Sequence, residues 1–529
     1  MNGPSQPNSD RIKGGKHMRR TTLLAAAMLT TTMMTPAYAD GHLKIVDEPV
    51  EFTVHLHNKR YHYDSNWPVE QAARAMTGVS LKGATFGTNT PSSSEAHNLM
   101  LASGDMPHIV GGDKIKDMVN EYGPQGAFVA LNDLIDEHAP NIKAFFEKYP
   151  EKQAAVSSFD GNLYYIPYLP DGKYGRAYWM RRDWLDAVGM DVPSNVDELY
   201  EVLTAFRNQD PNGNGIKDEV PFFARQWPEV LRLVTLWDGR SSGSDTYHDF
   251  HVDNGKITHG YAGEGYREGI KNIHKWYEEG LIDAEVFTRG SSAREFLLSE
   301  NLGGMTHDWF ASTSGYNPKL RDKIPGFALE VIVPPASISG KRIAEHRRIP
   351  VKPDGWAITH TNPDPVTTIK YFDFYFTEEG RRLANFGIEG THYDMIDGKP
   401  IFKQEFMDAG PVNSQLYQVG AQVQRGYFQD FGYEIQWTNP SAVKGIELYD
   451  SGDYLIDQFL GVAFNEAEQG VYDRKWSQIR TYMLEKQQAW ILTGGIEEEW
   501  DDYIATLDKM GYNDVVEAMQ SAYDRQYGG

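Results

Sequence analysis

The sequence predicts an α/β fold divided into two or more domains, with a chain that passes between them more than once. Three observations lead there. The 529 residues exceed what a single hydrophobic core holds. Strand-like and helix-like segments alternate from Val50 to the C-terminus. No repeat and no low-complexity linker interrupts them, so the domains are not strung like beads.

The N-terminus comes first. Met18-Arg19-Arg20 is basic, Thr21 to Met34 is mildly apolar, and Ala37-Tyr38-Ala39 is a small-x-small site. This is the pattern of a cleavable signal peptide, with Asp40 as the first mature residue and residues 1–17 upstream of its start. The apolar stretch is too short and Thr-rich for an anchor. The chain has 0 cysteines. That excludes disulfides, thiol catalysis, cysteine-based zinc sites and a lipid anchor on an N-terminal cysteine. A free, monomeric protein in the periplasm of a Gram-negative cell fits best. The net charge is -23. Cleavage after Ala39 removes five basic residues and one acidic one and leaves -27. Nucleic acid is therefore excluded as a partner. An acidic ligand needs only a few local donors, although the global field opposes it.

The elements follow in order. Val50, Phe52, Val54 and Leu56 alternate as a strand through Val50 to His57. Leu99 to Gly112 reads as a helix end, a turn and a short buried strand. A helix starts at Pro193-Ser194, with Ser194 as cap, Asp197 three residues on, and Val196, Leu199, Leu203 and Phe206 as its apolar face. A second runs from about Gly265 to Glu279, buries Tyr266, Ile270, Ile273 and Tyr277, and ends at Gly280. Asp364-Pro365 opens a third, with proline at the first helical position. Val471 to Tyr527 is helical in composition.

One motif carries metal chemistry. Asp210-Pro211-Asn212-Gly213-Asn214-Gly215-Ile216-Lys217-Asp218-Glu219 sets oxygen side chains at alternating positions with glycine at the sixth, the spacing by which an EF-hand-like loop wraps calcium. Asp210, Asn212 and Asn214 would offer side-chain oxygens, Ile216 its carbonyl, and Asp218 and Glu219 would close the shell. Gly215 permits the sharp turn. Pro221 stands where an EF-hand carries its bidentate glutamate, so the expectation is one structural calcium ion rather than a switching helix pair.

Several segments together resemble the extracellular solute-binding proteins of ABC importers. Leu101-Ala102-Ser103-Gly104-Asp105-Met106-Pro107-His108-Ile109-Val110 is similar to that superfamily's L-A-S-G-D-x-P-D-V-V signature, with His108 for the usual aspartate. The resemblance narrows to periplasmic alginate-binding proteins through Asp210 to Phe222, Arg240 to Asp245, Thr306 to Thr313, Pro353 to Ile358 and Ala522 to Tyr527. Similar stretches span about residues 45–527.

This resemblance implies a two-lobed periplasmic-binding-protein fold, type II-like, with the hinge crossed several times and an oligosaccharide held in the cleft. The implied lobes are 40–168 with about 312–385, and about 169–311 with 386–529. It also implies aromatic platforms for the sugar at Tyr168, Trp309, Tyr433 and Trp437, with His307 and Asp308 beside Trp309. Uronate carboxylates would need Lys59, Arg60, Arg176, Arg240 or Lys352, since a guanidinium grips a carboxylate in a fork. Gln125, Ser103, Gly104 and Asp105 are candidates for hydroxyl contacts. The implied function is capture of acidic oligosaccharides, alginate above all, for an inner-membrane permease. Other uronate glycans, such as glycosaminoglycan or pectin fragments, remain open. A polysaccharide lyase is the rival class, but no G-x-S-x-G, H-E-x-x-H or phosphate-loop motif occurs.

Overall fold

The computed structural model describes residues 43–58, 61–84, 93–241, 249–344, 348–456 and 458–528. The signal peptide read at the N-terminus, together with Lys59 and Arg60, lies outside the described residues. In chain order the strands are β1 (Val50–Asn58), β2 (Tyr61–His62), β3 (Val79–Gly83), β4 (Ile109–Gly112), β5 (Ile166–Leu169), β6 (Arg176–Arg181), β7 (Val220–Phe222), β8 (Phe250–Asp253), β9 (Lys256–His259), β10 (Gly303–Trp309), β11 (Leu329–Ile332), β12 (Gly355–Ile358), β13 (Tyr393–Ile396), β14 (Lys399–Phe402) and β15 (Tyr427–Phe428).

Two sheets organise the molecule. The first has seven strands in the order β15-β5-β12-β4-β1-β2, with β3 also on β1. β1 runs parallel to β3 and β4, and the helices Pro68–Thr77 and Ser93–Ser103 make the crossovers that such pairing requires. The alternation in β1 buries Phe52, Val54 and Leu56, as expected. His55 and His57, on the other face, are buried as well, because this sheet is covered on both sides. The second sheet has four strands in the order β11-β6-β10-β7. Successive residues of β6 feed two separate cores: Tyr178 and Met180 join one, Ala177 and Trp179 the other.

The chain changes sheet after β5, again between β11 and β12, and a last time after β15. The final passage leads to the helix Pro440–Asp450, which packs on β11. The repeated crossing agrees with expectation, but two boundaries do not. β11 pairs with β6, so residues beyond 312 stay with the second sheet. β15 pairs with β5, so the first sheet is incomplete until residue 428. Neither short strand carries a signal of its partner in its own sequence.

Local details also shift. The helix Val196–Asn208 is capped by Asn195 rather than Ser194, its side chain accepting from the Glu198 backbone N–H at 3.0 Å. The helix Glu264–Glu278 buries Trp276, and Tyr277 is only half-buried. The helix Pro365–Phe374 opens with proline, as read, and the Asp364 side chain caps it. The C-terminal run is three helices: Glu466–Thr493, Ile496–Met510 and Tyr512–Tyr527.

Candidate functional site

β6 and β10 are antiparallel neighbours, and their register pairs Arg176 with Trp309 and Tyr178 with His307. The Arg176 guanidinium lies 4.2 Å from the centroid of the Trp309 ring. Trp309 is 42% exposed, so a large aromatic surface remains open beside that cation. Asp308 points the other way and is fully buried. Its carboxylate ion-pairs with Arg225 Nε at 3.0 Å, and accepts from Arg294 Nη1 at 2.7 Å and from the Trp309 backbone N–H at 2.7 Å. Arg294 Nη1 also donates to Ser312 Oγ and Thr313 Oγ1. Glu229 pairs with both Arg225 and Arg232, each at 3.3 Å. Arg232 donates to the His307 carbonyl at 3.1 Å.

The cluster thus sets four guanidiniums, of Arg176, Arg225, Arg232 and Arg294, against two carboxylates, of Asp308 and Glu229. Burial, and then the charge of Arg232, bring the Arg176 guanidinium down to about 9. Burial, with Arg232 and Arg176 adding to it, holds the His307 imidazole neutral. The arrangement is a pre-paid positive field next to an apolar platform, suited to a ligand with a flat C–H face and a negative charge.

A second aromatic group lies where the chain crosses. Tyr168 on β5 is opposite Tyr427 on β15, with ring centroids 5.2 Å apart. Tyr433 stands 6.1 Å from Trp437. Tyr168 and Tyr433 are buried, so they pack among aromatics here rather than offering an open face. The indole N–H of Trp437 is buried without a hydrogen-bond partner. Arg348 ion-pairs with Glu434 and covers the Phe431 ring at 4.5 Å, joining two of the three crossings.

The remaining candidates scatter. Arg240 acts on His251, away from Trp309. Lys352 lines a separate cavity. Gln125 donates locally to the Glu121 carbonyl. Ser103 donates to Met100, and Asp105 N–H to Ser103, in a helix-end turn at Gly104. His108 exchanges hydrogen bonds with Thr53, its ring accepting the Thr53 N–H and its own N–H donating to Thr53 Oγ1. Asp308 is fully buried against two arginines and the Trp309 backbone. Arg225, Arg232 and Arg294 were not read from the sequence. The one available signal was the spacing Arg225, Glu229, Arg232: Glu229 and Arg232 lie three residues apart in the 3₁₀ helix Trp227–Trp237, and Arg225 precedes it.

The 210–219 loop follows the helix Val196–Asn208. Gly215 takes φ 77°, as the turn needs. The Asp210 carboxylate accepts from the Asn214 and Gly215 N–H groups. Asp218 accepts from the amides of Asn212 and Asn214, and the Ile216 carbonyl accepts from Asp218 N–H. Among the described residues no three His, Cys, Asp or Glu side chains already form a metal shell. Half of this donor set is amide and carbonyl, and rotating the Asn amides would present oxygen instead of nitrogen. Glu219 is the telling member. It is 2% exposed, and neither carboxylate oxygen has a hydrogen-bond partner. Burial, with Asp218 and Asp210 nearby, raises its pKa. A buried, unpaired carboxylate at the end of an oxygen-rich loop fits a hard cation.

Residues 83–382 match the family of bacterial extracellular solute-binding proteins, and the chain belongs to that family. It is a binding protein, not an enzyme. The fold matches the crystal structure of alginate-binding protein AlgQ2 without calcium ion, at 46% identity over 91% of this chain and 99% of that one, with a TM-score of 0.75. The fructooligosaccharide ABC transporter substrate-binding protein FusA of Streptococcus pneumoniae is 26% identical over 86% of each chain. The polygalacturonan/rhamnogalacturonan-binding protein YtcQ of Bacillus subtilis is 24% identical over 58% of this chain and 60% of its own. Among the described residues no helix is long and apolar enough to cross a membrane.

Proposed function

We propose that this solute-binding protein captures acidic oligosaccharides, alginate fragments above all, between its two sheets for an ABC importer. It does so in the periplasm after cleavage at Ala39. The observation that carries the reading is the half-exposed Trp309 face beside the guanidinium groups of the buried Arg232 and the partly buried Arg176, Arg225 and Arg294. A neutral fructan needs the platform but not the charge, whereas a uronate needs both. The name of the AlgQ2 relative supports alginate. The 210–219 loop would hold one calcium ion through Asp210, Asn212, Asn214, the Ile216 carbonyl, Asp218 and Glu219, pinning the loop after the Val196–Asn208 helix.

Tryptophan fluorescence titrated with alginate, oligogalacturonate, glycosaminoglycan and neutral fructan oligosaccharides tests the ligand. Alginate fragments should bind saturably without breakdown and most tightly. Trp309→Ala should weaken them by about 1–3 kcal/mol, or roughly ten- to a hundredfold. Equal binding of the fructan would overturn the acidic reading.

A further inference from the structure

The first sheet has a ligand side of its own. β1 is parallel to β4, β15 is parallel to β5, and β12 is antiparallel to both β4 and β5, so β1, β4, β5 and β15 all run one way. In an open α/β sheet a ligand sits beyond such carboxyl ends. β5 and β15 leave for the second sheet from that edge, and β2, with Tyr61, folds back there on the end of β1.

Tyrosines gather at this edge. Tyr61, Tyr168, Tyr427 and Tyr433 are buried, which leaves them little open ring surface for a sugar. Tyr417, in the last turn of the helix Val412–Gln418, stays half-buried. Its ring tilts against that of Tyr61, with centroids 5.7 Å apart. Its hydroxyl lies close to those of Tyr61, Tyr168 and Tyr427: burial first, and Tyr417 in addition, raise the pKa of all three. The backbone around it is fixed, since the Gly420 N–H donates to the Tyr417 carbonyl at 3.2 Å and the Val69 N–H to the Val419 carbonyl at 3.1 Å. A half-open ring on a rigid turn suits the apolar C–H face of a pyranose.

We propose that Tyr417 is the aromatic platform of the first sheet, packing on a sugar ring of the oligosaccharide that Trp309 holds from the second. This rests on the reading of the space between the sheets as the oligosaccharide site. It replaces Tyr168 and Tyr433, whose burial leaves them as supports behind Tyr417.

Nitration of the full chain by tetranitromethane, followed by peptide mass spectrometry, tests this without a variant. Alginate oligosaccharide at ten times its Kd should slow nitration of Tyr417 by about tenfold. Tyr277, on the helix Glu264–Glu278, should react equally with and without it. Binding titrations add the second readout. Tyr417→Ala should weaken the oligosaccharide by at least about tenfold, and Tyr417→Phe, which keeps the ring, should stay within about threefold. Unchanged nitration of Tyr417, full affinity in Tyr417→Ala, or an equal loss in Tyr417→Phe would each overturn the platform. If Trp309→Ala weakens alginate fragments and Tyr417→Ala does not, the acidic reading stands and this proposal falls. If a neutral fructan binds as tightly and protects Tyr417 equally, the platform stands and the acidic reading falls. Absence of any saccharide binding would overturn both.

Discussion

Glu219 gives the proposed metal its sharpest test. Its carboxylate is buried without partners, and its pKa is raised, so above that pKa the charged form costs stability when no cation is present. In chelator at neutral pH, Glu219→Gln should therefore melt higher than wild type, by the equivalent of about 1–3 kcal/mol. In millimolar calcium the order should reverse, with wild type gaining and the variant unresponsive. Thermal melts of both proteins in both buffers decide it, and parallel melts would remove the metal assignment. The loop could be read in sequence because its oxygen-bearing residues fall within ten consecutive positions, 210–219. The guanidinium cluster was not, because Arg176, Arg225, Arg294 and Asp308 come from separate stretches that only β6–β10 pairing and the helices beside it bring together. The resemblance pointed to Trp309 and Asp308 together, but it could not show that Asp308 is buried against two arginines and the backbone.

At the level of the element, β1 carries His55 and His57 into a group with His62 and His97. His55 lies 5.6 Å from His97, and His57 stacks on His62 at 4.1 Å. Burial, then the neighbouring rings, lower His55 to about 3, and burial lowers His97 to about 4 against a hydrogen bond to Gly111. In the unfolded chain both rings take a proton near about pH 6.5. Between those limits the unfolded state holds more protons, so acid favours unfolding. Stability from these rings should be complete above about pH 6.5, fall as pH drops toward about 4, and change little below about 3. Urea midpoints measured across that range should show the slope, and His97→Phe should flatten it. The alternation that identified β1 as a strand could not anticipate this. It marks the apolar face, whereas the burial of both faces follows from the helices that cover the parallel strands β3, β1 and β4.

For the molecule as a whole, the crossings between the two sheets share one set of contacts. Asp171, Gly172, Arg348, Gln429 and Phe431 meet there: Asp171 accepts the Phe431 N–H, and Gln429 Oε1 accepts the Asp171 N–H. Gly172 sits at φ 94°, and a Cβ there would lie 3.1 Å from both Arg348 and Phe431. Gly172→Ala should cost about 1–2 kcal/mol of strain and reduce ligand-induced compaction. Small-angle scattering with and without alginate oligosaccharide would read that change, and unchanged compaction would move the hinge elsewhere. The α/β class and the repeated crossing were legible from alternation and missing linkers. The boundaries were not, since β11 and β15 are four and two residues long and owe their sheet to partners distant in sequence.

The position of β15 also bears on how the chain is made. Its two residues close one edge of the seven-stranded sheet, at 427–428, while β1 begins at Val50. During synthesis the first lobe therefore cannot complete its sheet until most of the polypeptide has emerged. Its edge at β5 waits for a strand that arrives after the whole second sheet. Contacts of such long sequence separation form slowly. The delayed closure of this sheet is written into strand order rather than into any one residue.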